Sequence, residues 1–181
     1  LAWFYNNLVD YPQVEFWYQK AHAIAQKRLP AQHYAIATTL NNLAGLYESQ
    51  GKYHEAEPLY LEALAIGRAS LPPNHPLLAP RLNNLAKLYE SQGKYNEAES
   101  LFQEALDIKR ASLPPNHPDL AIGLNNLAFL YQSQGKYREA EPLYQEALAI
   151  CEQSLGINHP NTVTIRENYQ QLLQQKAEPR S

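Results

Sequence analysis

The feature that most constrains the fold of this chain is a repeat of 42 residues that continues without insertion through most of its length. Segments that begin with LNNLA start at Leu40, Leu82 and Leu124, and the motif NHP recurs with the same spacing. A period of about 20 to 50 residues is typical of a solenoid, in which each unit buries its apolar face by stacking against its neighbour. The sequence therefore predicts a stack of similar units.

Each repeat contains two segments with the apolar spacing of an amphipathic helix. The first, helix A, has apolar residues at i, i+3, i+4 and i+7 from Leu40 onward. The second, helix B, follows the turn SQGKY, where Gly51 and its equivalents can adopt the left-handed conformation that ends a helix. Helix B ends before the prolines of LPPNHP. The first residues of the following A helices are predicted to be Pro76, Pro118 and Pro160.

The period divides the chain into an incomplete unit, three complete units and a closing segment. Residues 1–40 align with the later part of a repeat, so we expect the chain to begin inside a repeat, as a fragment or a processed product would. The last segment aligns with helix A and then becomes polar, which predicts a closing helix with a frayed end. The predicted boundaries are 1–40, 41–82, 83–124, 125–166 and 167–181.

The small and aromatic residues of each unit resemble the tetratricopeptide repeat, which places Leu, Gly or Ala, and Tyr in one helix and Ala, an aromatic residue and Ala in the next. The matching residues of the first complete unit are Leu43, Ala44, Tyr47, Ala56, Tyr60 and Ala63. A 42-residue period with LNNLA, GKYxEAE and NHP is similar to the repeats of kinesin light chain and its prokaryotic relatives. The resemblance implies an all-α fold, a right-handed superhelical solenoid of antiparallel helix hairpins.

The same resemblance implies a concave groove, lined by the A helices, that binds an extended peptide or a helix of a partner protein. Rotation by about 100° per residue around helix A indicates the same surface from the residues alone, roughly opposite the apolar stripe. The predicted peptide-binding residues are Trp3, Thr38, Asn41, Asn42, Gly45, Ser49, Asn83, Asn84, Lys87, Ser91, Ile122, Asn125, Asn126, Phe129 and Ser133.

Residues that are identical between units are predicted to hold the hairpins together, whereas groove positions that differ are predicted to select the ligand. One variable position is occupied by Gly45, Lys87 and Phe129, and a second, seven residues earlier in the same three A helices, by Thr38, Pro80 and Ile122. These residues predict an apolar ligand side chain near Phe129 and Ile122 and an acidic ligand group near Lys87. Lys87 is the one cationic residue among the predicted groove positions.

The paired asparagines of LNNLA have two explanations that the sequence leaves open. Asn is a poorer helix former than Ala by ~0.6 kcal/mol, so six of them in three helices cost on the order of 3–4 kcal/mol. Their carboxamides either bind the backbone of a peptide or form hydrogen bonds between neighbouring hairpins.

Composition and motifs favour a protein-binding scaffold over other classes. The net charge of −3 provides no general attraction for nucleic acid, and no apolar run approaches the roughly 20 residues that cross a bilayer. Neither nucleic acid nor a membrane is therefore an expected partner. The single cysteine, Cys151, cannot form an internal disulfide, which favours a reducing, cytoplasmic setting.

The repeated histidines do not indicate a metal site or an enzyme. His75, His117 and His159 lie in successive units, and equivalent atoms two helix layers apart are separated by roughly 16–20 Å, too far for one zinc ion. Each histidine precedes a proline that is predicted to start a helix, so its predicted role is to end the loop. No nucleotide-binding or nucleophile motif is present. The chain is predicted to have no catalytic activity, no cofactor and no metal.

The alternative function is self-association. The first repeat lacks the first turns of its helix A, which leaves Trp3, Phe4, Phe16 and Trp17 near an uncovered end of the stack. A homo-oligomer would form through this N-terminal end, or a partner would bind the convex face.

Overall fold

The computed structural model describes residues 11–177 of the 181-residue chain. Eight α-helices and no strands are found in this part. The helices are α1 (Tyr11–Arg28), α2 (Tyr34–Ser49), α3 (Tyr53–Ser70), α4 (Leu78–Ser91), α5 (Tyr95–Ser112), α6 (Pro118–Ser133), α7 (Tyr137–Leu155) and α8 (Pro160–Ala177). The prediction of an all-α fold is confirmed.

The chain divides into two compact units, residues 1–88 (unit 1) and residues 89–181 (unit 2), with the division inside α4. In unit 1, α2 packs against both α1 and α3. In unit 2, α6 packs against α5, α7 and α8, and α7 also packs against α8. Each unit therefore contains the predicted hairpin of an A helix and a B helix. The five repeat boundaries drawn from the period remain predictions.

The turn inside each hairpin depends on a glycine in the left-handed conformation. Gly51, Gly93 and Gly135 have φ values of 73°, 74° and 71°. After Gly51, the backbone N–H of Lys52 donates to the Tyr47 carbonyl at 2.9 Å, a bond that satisfies one of the last carbonyls of α2. A residue with a side chain would be strained at these φ values, so the predicted role of these glycines is confirmed.

Histidines cap the A helices. In each case Nδ1 accepts a hydrogen bond from the backbone N–H two residues later, which satisfies a donor at the start of the helix. The four distances are all 3.1–3.2 Å, for His33, His75, His117 and His159. Because an accepting Nδ1 carries no proton, the neutral ring with its hydrogen on Nε2 is the form that makes this contact.

The predicted first residue of α4 is wrong. Helices α6 and α8 begin at Pro118 and Pro160 as predicted, but α4 begins at Leu78, two residues after Pro76. Pro80 lacks the N–H that would close a full α-turn onto the Pro76 carbonyl. The Ala79 N–H bonds to that carbonyl instead, at 3.2 Å, in a tighter turn.

The small and aromatic family positions form the core of each hairpin. Ala44 and Ala56 are completely buried, and Tyr60 is 2% exposed. Alanine at these positions allows the two helices to approach closely, and the aromatic ring fills the space beside them. The Tyr60 hydroxyl donates to Glu48 Oε2 at 2.7 Å, and burial with this contact raises the pKa of Tyr60.

The motif GKYxEAE provides a second set of contacts between helices. In unit 2, the Tyr131 hydroxyl donates to Glu99 Oε1 at 3.0 Å, and Lys136 Nζ bonds to Glu99 Oε2 at 3.1 Å. In unit 1, the Tyr47 hydroxyl makes the equivalent bond to Glu15 at 3.0 Å. Burial, together with the bond and the charge of Glu99, raises the pKa of Tyr131 to about 12. These repeated residues are therefore occupied in packing one hairpin against the next helix.

Candidate peptide-binding surface

The predicted peptide-binding residues lie on three A helices, and Trp3 falls outside the described residues. The unit 1 face consists of Thr38, Asn41, Asn42, Gly45 and Ser49 on α2 with Asn83, Asn84 and Lys87 on α4. The unit 2 face consists of Ser91 on α4 with Ile122, Asn125, Asn126, Phe129 and Ser133 on α6. The exposed members are Thr38, Asn42, Ser49, Lys87, Ser91, Phe129 and Ser133.

Four asparagines form hydrogen bonds between A helices. Asn84 Nδ2 donates to Asn41 Oδ1 at 3.2 Å in unit 1, and Asn168 Nδ2 donates to Asn125 Oδ1 at 3.0 Å in unit 2. In both pairs the second asparagine of one repeat, or its equivalent in α8, bonds to the first asparagine of the preceding repeat. The structural explanation therefore holds for these four residues, each of which keeps carboxamide donors or acceptors beyond this bond.

Asn83 is the most buried of the predicted groove residues, with 8% of its surface exposed. Its Nδ2 donates to the Ala79 carbonyl of its own helix at 3.0 Å. Its Oδ1 is buried and accepts no hydrogen bond from the described residues. Asn83 thus has less contact with solvent than its equivalents Asn41 and Asn125, which are half-buried.

The serines and Gly45 contribute differently to these faces. The hydroxyls of Ser49 and Ser133 donate to carbonyls of their own helices, at 2.7 Å and 3.0 Å, which leaves their oxygens as acceptors. A Cβ at Gly45 would lie 3.3 Å from the Tyr60 hydroxyl oxygen. A side chain at Gly45 would therefore contact the Tyr60 hydroxyl, but the equivalent bond from Tyr144 to Gln132, at 2.8 Å, forms in unit 2 with Phe129 at this position.

Arg81 is a cationic residue of unit 1 that the sequence reasoning did not place at the binding surface. It is 7% exposed, and its guanidinium bonds to the carbonyls of Leu77 and Tyr34 and, at 3.1 Å, to Thr38 Oγ1. Its side chain extends over Gly67, where an added Cβ would lie 3.4 Å from Arg81 Cδ. The signal in the sequence is a paired departure from the repeat, because Gly67 and Arg81 align with Lys109 and Gly123.

Arg81 lines a small pocket that includes two of the predicted binding residues. The pocket has a volume of about 190 Å³. We call it the Arg81 pocket, and it is lined by Thr38, Asn41, Leu77, Pro80 and Arg81. Thr38 and Asn41 of the unit 1 face therefore line the same pocket as Pro80 and the buried Arg81.

The unit 2 face is apolar where the unit 1 face is cationic. Phe129 is 42% exposed on α6, and Ile122, two turns earlier on the same helix, is half-buried. A larger depression of about 640 Å³ also lies in unit 2, but it is wide open and lined by turn and helix-start residues such as Tyr95, Asn96 and Glu97. Of the residues predicted to bind peptide, that depression includes Ser133.

The described residues contain neither a candidate metal centre nor a membrane span. Residues 11–177 hold no group of three or more His, Cys, Asp or Glu side chains placed to bind a metal ion. No helix in this range combines the length and apolar character that crossing a bilayer requires. Cys151 is buried, and burial raises the pKa of its thiol.

Comparisons with known proteins agree on one family. A sequence profile described as tetratricopeptide repeat matches residues 10–69 and 35–111, and a second profile with the same description matches residues 120–161. No protein with a curated function matched the chain.

Solved structures show the same similarity. A Podosopora anserina protein, described as a putative kinesin light chain with nearly identical TPR-like repeats, is 25% identical, with a TM-score of 0.78 over 92% of this chain and 79% of that one. BtubC (BKLC) from P. vanneervenii is 24% identical, with a TM-score of 0.77 over 94% of this chain and 68% of that one.

Proposed function

Because the chain belongs to the tetratricopeptide repeat family, whose repeats generally mediate protein–protein interaction, we propose that it is a scaffold that binds an extended peptide segment. The segment would lie on the surfaces of the A helices, on the unit 1 face and the unit 2 face. Family members similar to kinesin light chain are typically scaffolds without enzyme activity. The cytoplasmic setting expected from the sequence remains a prediction.

The observation that carries this proposal is the contrast, on each face, between repeated residues that are bonded to each other and variable residues that are exposed. The bonds from Asn84 to Asn41 and from Asn168 to Asn125 join neighbouring A helices. The variable positions, in contrast, present Lys87 in unit 1 and Phe129 in unit 2 to solvent. A fixed spacing with variable exposed side chains is what a surface that distinguishes ligands requires.

The two faces predict different ligand side chains. Lys87 favours an acidic group, whereas Phe129 with Ile122 favours an apolar or aromatic one. The exposed carboxamide of Asn42 and the half-buried carboxamide of Asn126 provide both donors and acceptors. Such groups can bind the backbone of an extended peptide with any side chains.

The test is selection of binders from an unbiased library of extended peptides, followed by affinity measurement with variants. Phe129→Ala and Lys87→Glu should each weaken binding of the selected peptides at least tenfold. Leu61→Ala is the matched control for Phe129→Ala, because Leu61 is similarly exposed, at 44%, but lies on helix α3. A library without enrichment, or peptides indifferent to both groove variants, would contradict the proposal.

Self-association is a second candidate, favoured by one observation in α1. Phe16, Trp17 and Ile24 are 56%, 55% and 46% exposed, an unusual concentration of apolar surface on one helix. Light scattering over a concentration series would test it, with the double variant Phe16→Ser, Trp17→Ser as the probe. A mass that rises with concentration, and ceases to do so in the variant, would support an oligomer through α1. A constant monomer mass would remove this candidate.

A further inference from the structure

Arg81 of unit 1 differs from four cationic residues of unit 2, because its hydrogen-bond partners are neutral. Arg110, Lys136, Arg166 and Lys176 each lie 2.6–3.3 Å from a glutamate oxygen. The acceptors of Arg81 among residues 11–177 are two backbone carbonyls and the Thr38 hydroxyl. The four cations of unit 2 thus have carboxylate partners, whereas the buried Arg81 is bonded only to neutral oxygen atoms.

Arg81 therefore has no anionic partner among residues 11–177 for its positive charge. Removal of a guanidinium from water is unfavourable, and neutral acceptors compensate it less well than an anion does. Burial accordingly lowers the pKa of Arg81 from its ordinary value, although an arginine side chain remains protonated in proteins. An anion that reached Arg81 would form a charge-assisted hydrogen bond, which is stronger than a bond between neutral groups.

The Arg81 pocket provides a second donor and a limited space. Asn41 Oδ1 accepts from Asn84, and Asn41 Nδ2 forms no hydrogen bond with the described residues. Leu77 and Pro80 supply apolar walls, and the volume of about 190 Å³ suits a group of a few heavy atoms. The pocket is therefore small, partly apolar and lined by one cation and one free amide donor.

We propose that the Arg81 pocket binds a carboxylate of the bound peptide, with the Arg81 guanidinium and Asn41 Nδ2 as the donors. The carboxylate belongs to an aspartate or glutamate side chain or to the C-terminus of the peptide. This inference rests on the proposed function, since it assigns one ligand group to one position of the unit 1 face. Lys87, the acidic-group site expected from the sequence, would then act beside a deeper site and not alone.

A test that needs no selected peptide uses small carboxylates and the full chain. N-acetylaspartic acid amide and N-acetylalanine represent a side-chain and a C-terminal carboxylate, and N-acetylasparagine amide is the uncharged control. In nuclear magnetic resonance titrations, either carboxylate should shift the side-chain signals of Arg81 and Asn41, and the control should not. The compound that shifts them identifies the source of the carboxylate. If neither carboxylate moves these signals more than the control does, the proposal is wrong.

Two variants separate binding from folding. Arg81→Gln should abolish the shift of the Asn41 signal. Because Arg81 is buried and its loss could unfold the chain, Leu77→Asp is the second variant, with Leu77→Asn as its matched control. Leu77 is 46% exposed, so an aspartate there should be tolerated and should occupy the pocket with a tethered carboxylate. We expect Leu77→Asp to weaken carboxylate binding at least tenfold and Leu77→Asn to change it less than twofold.

Selected peptides distinguish the failure of this inference from the failure of the proposed function. Peptides that bind, but are unaffected by replacement of each acidic residue with its amide, by amidation of the C-terminus and by Leu77→Asp, would overturn the carboxylate site and leave the scaffold function standing. A carboxylate shift without any peptide enrichment would support the pocket and contradict the peptide scaffold.

Discussion

Two helix junctions, one in each unit, pair a cationic residue with a glycine, but the helix that carries the glycine is different in the two units. In unit 1, Arg81 of α4 packs over Gly67 of α3, where an added Cβ would meet Leu78 at 3.1 Å. In unit 2, Lys109 of α5 packs over Gly123 of α6, where an added Cβ would lie 3.7 Å from Lys109 Cδ. The same pair of repeat positions is therefore filled once with glycine on helix B and once with glycine on helix A.

The difference decides where each charge is directed. Arg81 starts from an A helix, so its guanidinium reaches Thr38 and the Arg81 pocket. Lys109 starts from a B helix, and its Nζ donates to the backbone carbonyl of Asp119 in the first turn of α6, at 3.0 Å. Near-identical repeats thus acquire distinct surfaces through one exchange of a large and a small residue, while the packing at both junctions is kept.

The largest expected effect comes from filling the space that one glycine leaves. Gly67→Leu should destabilise the chain by about 1–3 kcal/mol, because the new side chain overlaps Leu78 and the stem of Arg81. Urea denaturation would measure it. Glu62→Leu, at an exposed position of the same helix, should stay within about 0.5 kcal/mol. Equal effects of the two substitutions would mean that the junction is not closely packed.

A double substitution tests whether the unit 2 arrangement can replace the unit 1 arrangement. Gly67→Lys and Arg81→Gly should each destabilise the chain, one by overpacking and the other by leaving a gap. The double variant should recover about 1–2 kcal/mol relative to the sum of the single effects, since neighbouring residues are coupled. Additive free energies of unfolding would show that the two positions do not compensate each other.

The next effect concerns a feature that the two units share. His117→Ala should cost about 1 kcal/mol, because the Asp119 N–H loses its acceptor at the start of α6. His117→Asn should retain most of the stability, since an Asn side chain can cap the same N–H. Thermal or urea unfolding of both variants, beside the matching pair at His75 in unit 1, would measure the contribution. A loss confined to one unit would show that the caps are not equivalent.

The last effect is absent at neutral pH and appears only at alkaline pH. The pKa of Tyr131 is raised to about 12 in the folded chain, while an unfolded tyrosine titrates near 10. The stabilisation from the neutral hydroxyl is therefore complete below about pH 10 and is lost as pH rises towards 12. Unfolding free energies across this range should fall with pH, and less steeply in Tyr131→Phe. An identical slope in the variant would exclude Tyr131 as a cause.

The sequence predicted the helices and their packing because both depend on local spacing that repeats. Apolar residues at helical spacing, the turn glycines and the histidines before each A helix reappear in the structure with their predicted roles. Pro76 failed as a helix start because Pro80, four residues later, has no N–H with which to close the turn. The information was present in the sequence, but the first turn was assigned from the repeat instead of from this residue.

The site was less predictable because its decisive contacts join different helices. The offset between Asn41 and Asn84 depends on how one A helix lies against the next, and the period does not specify it. Arg81 was missed because the position of its side chain depends on Gly67 of another helix. Gly67 has no side chain, so the stem of Arg81 can pass over it and the guanidinium can bond to Thr38. The binding of peptide at the fifteen predicted residues remains a prediction.

The opposite placement of glycine at the two junctions also restricts how such a chain can evolve. Near-identical tandem copies in a gene recombine out of register easily, and most products would preserve the reading frame and the hairpin motif. A recombinant in which the B helix with Lys109 preceded the A helix with Arg81 would bring two cations together at one junction. A recombinant in which the B helix with Gly67 preceded the A helix with Gly123 would leave a gap between the two helices. The present order of copies avoids both mismatches, although the repeats share the same motifs.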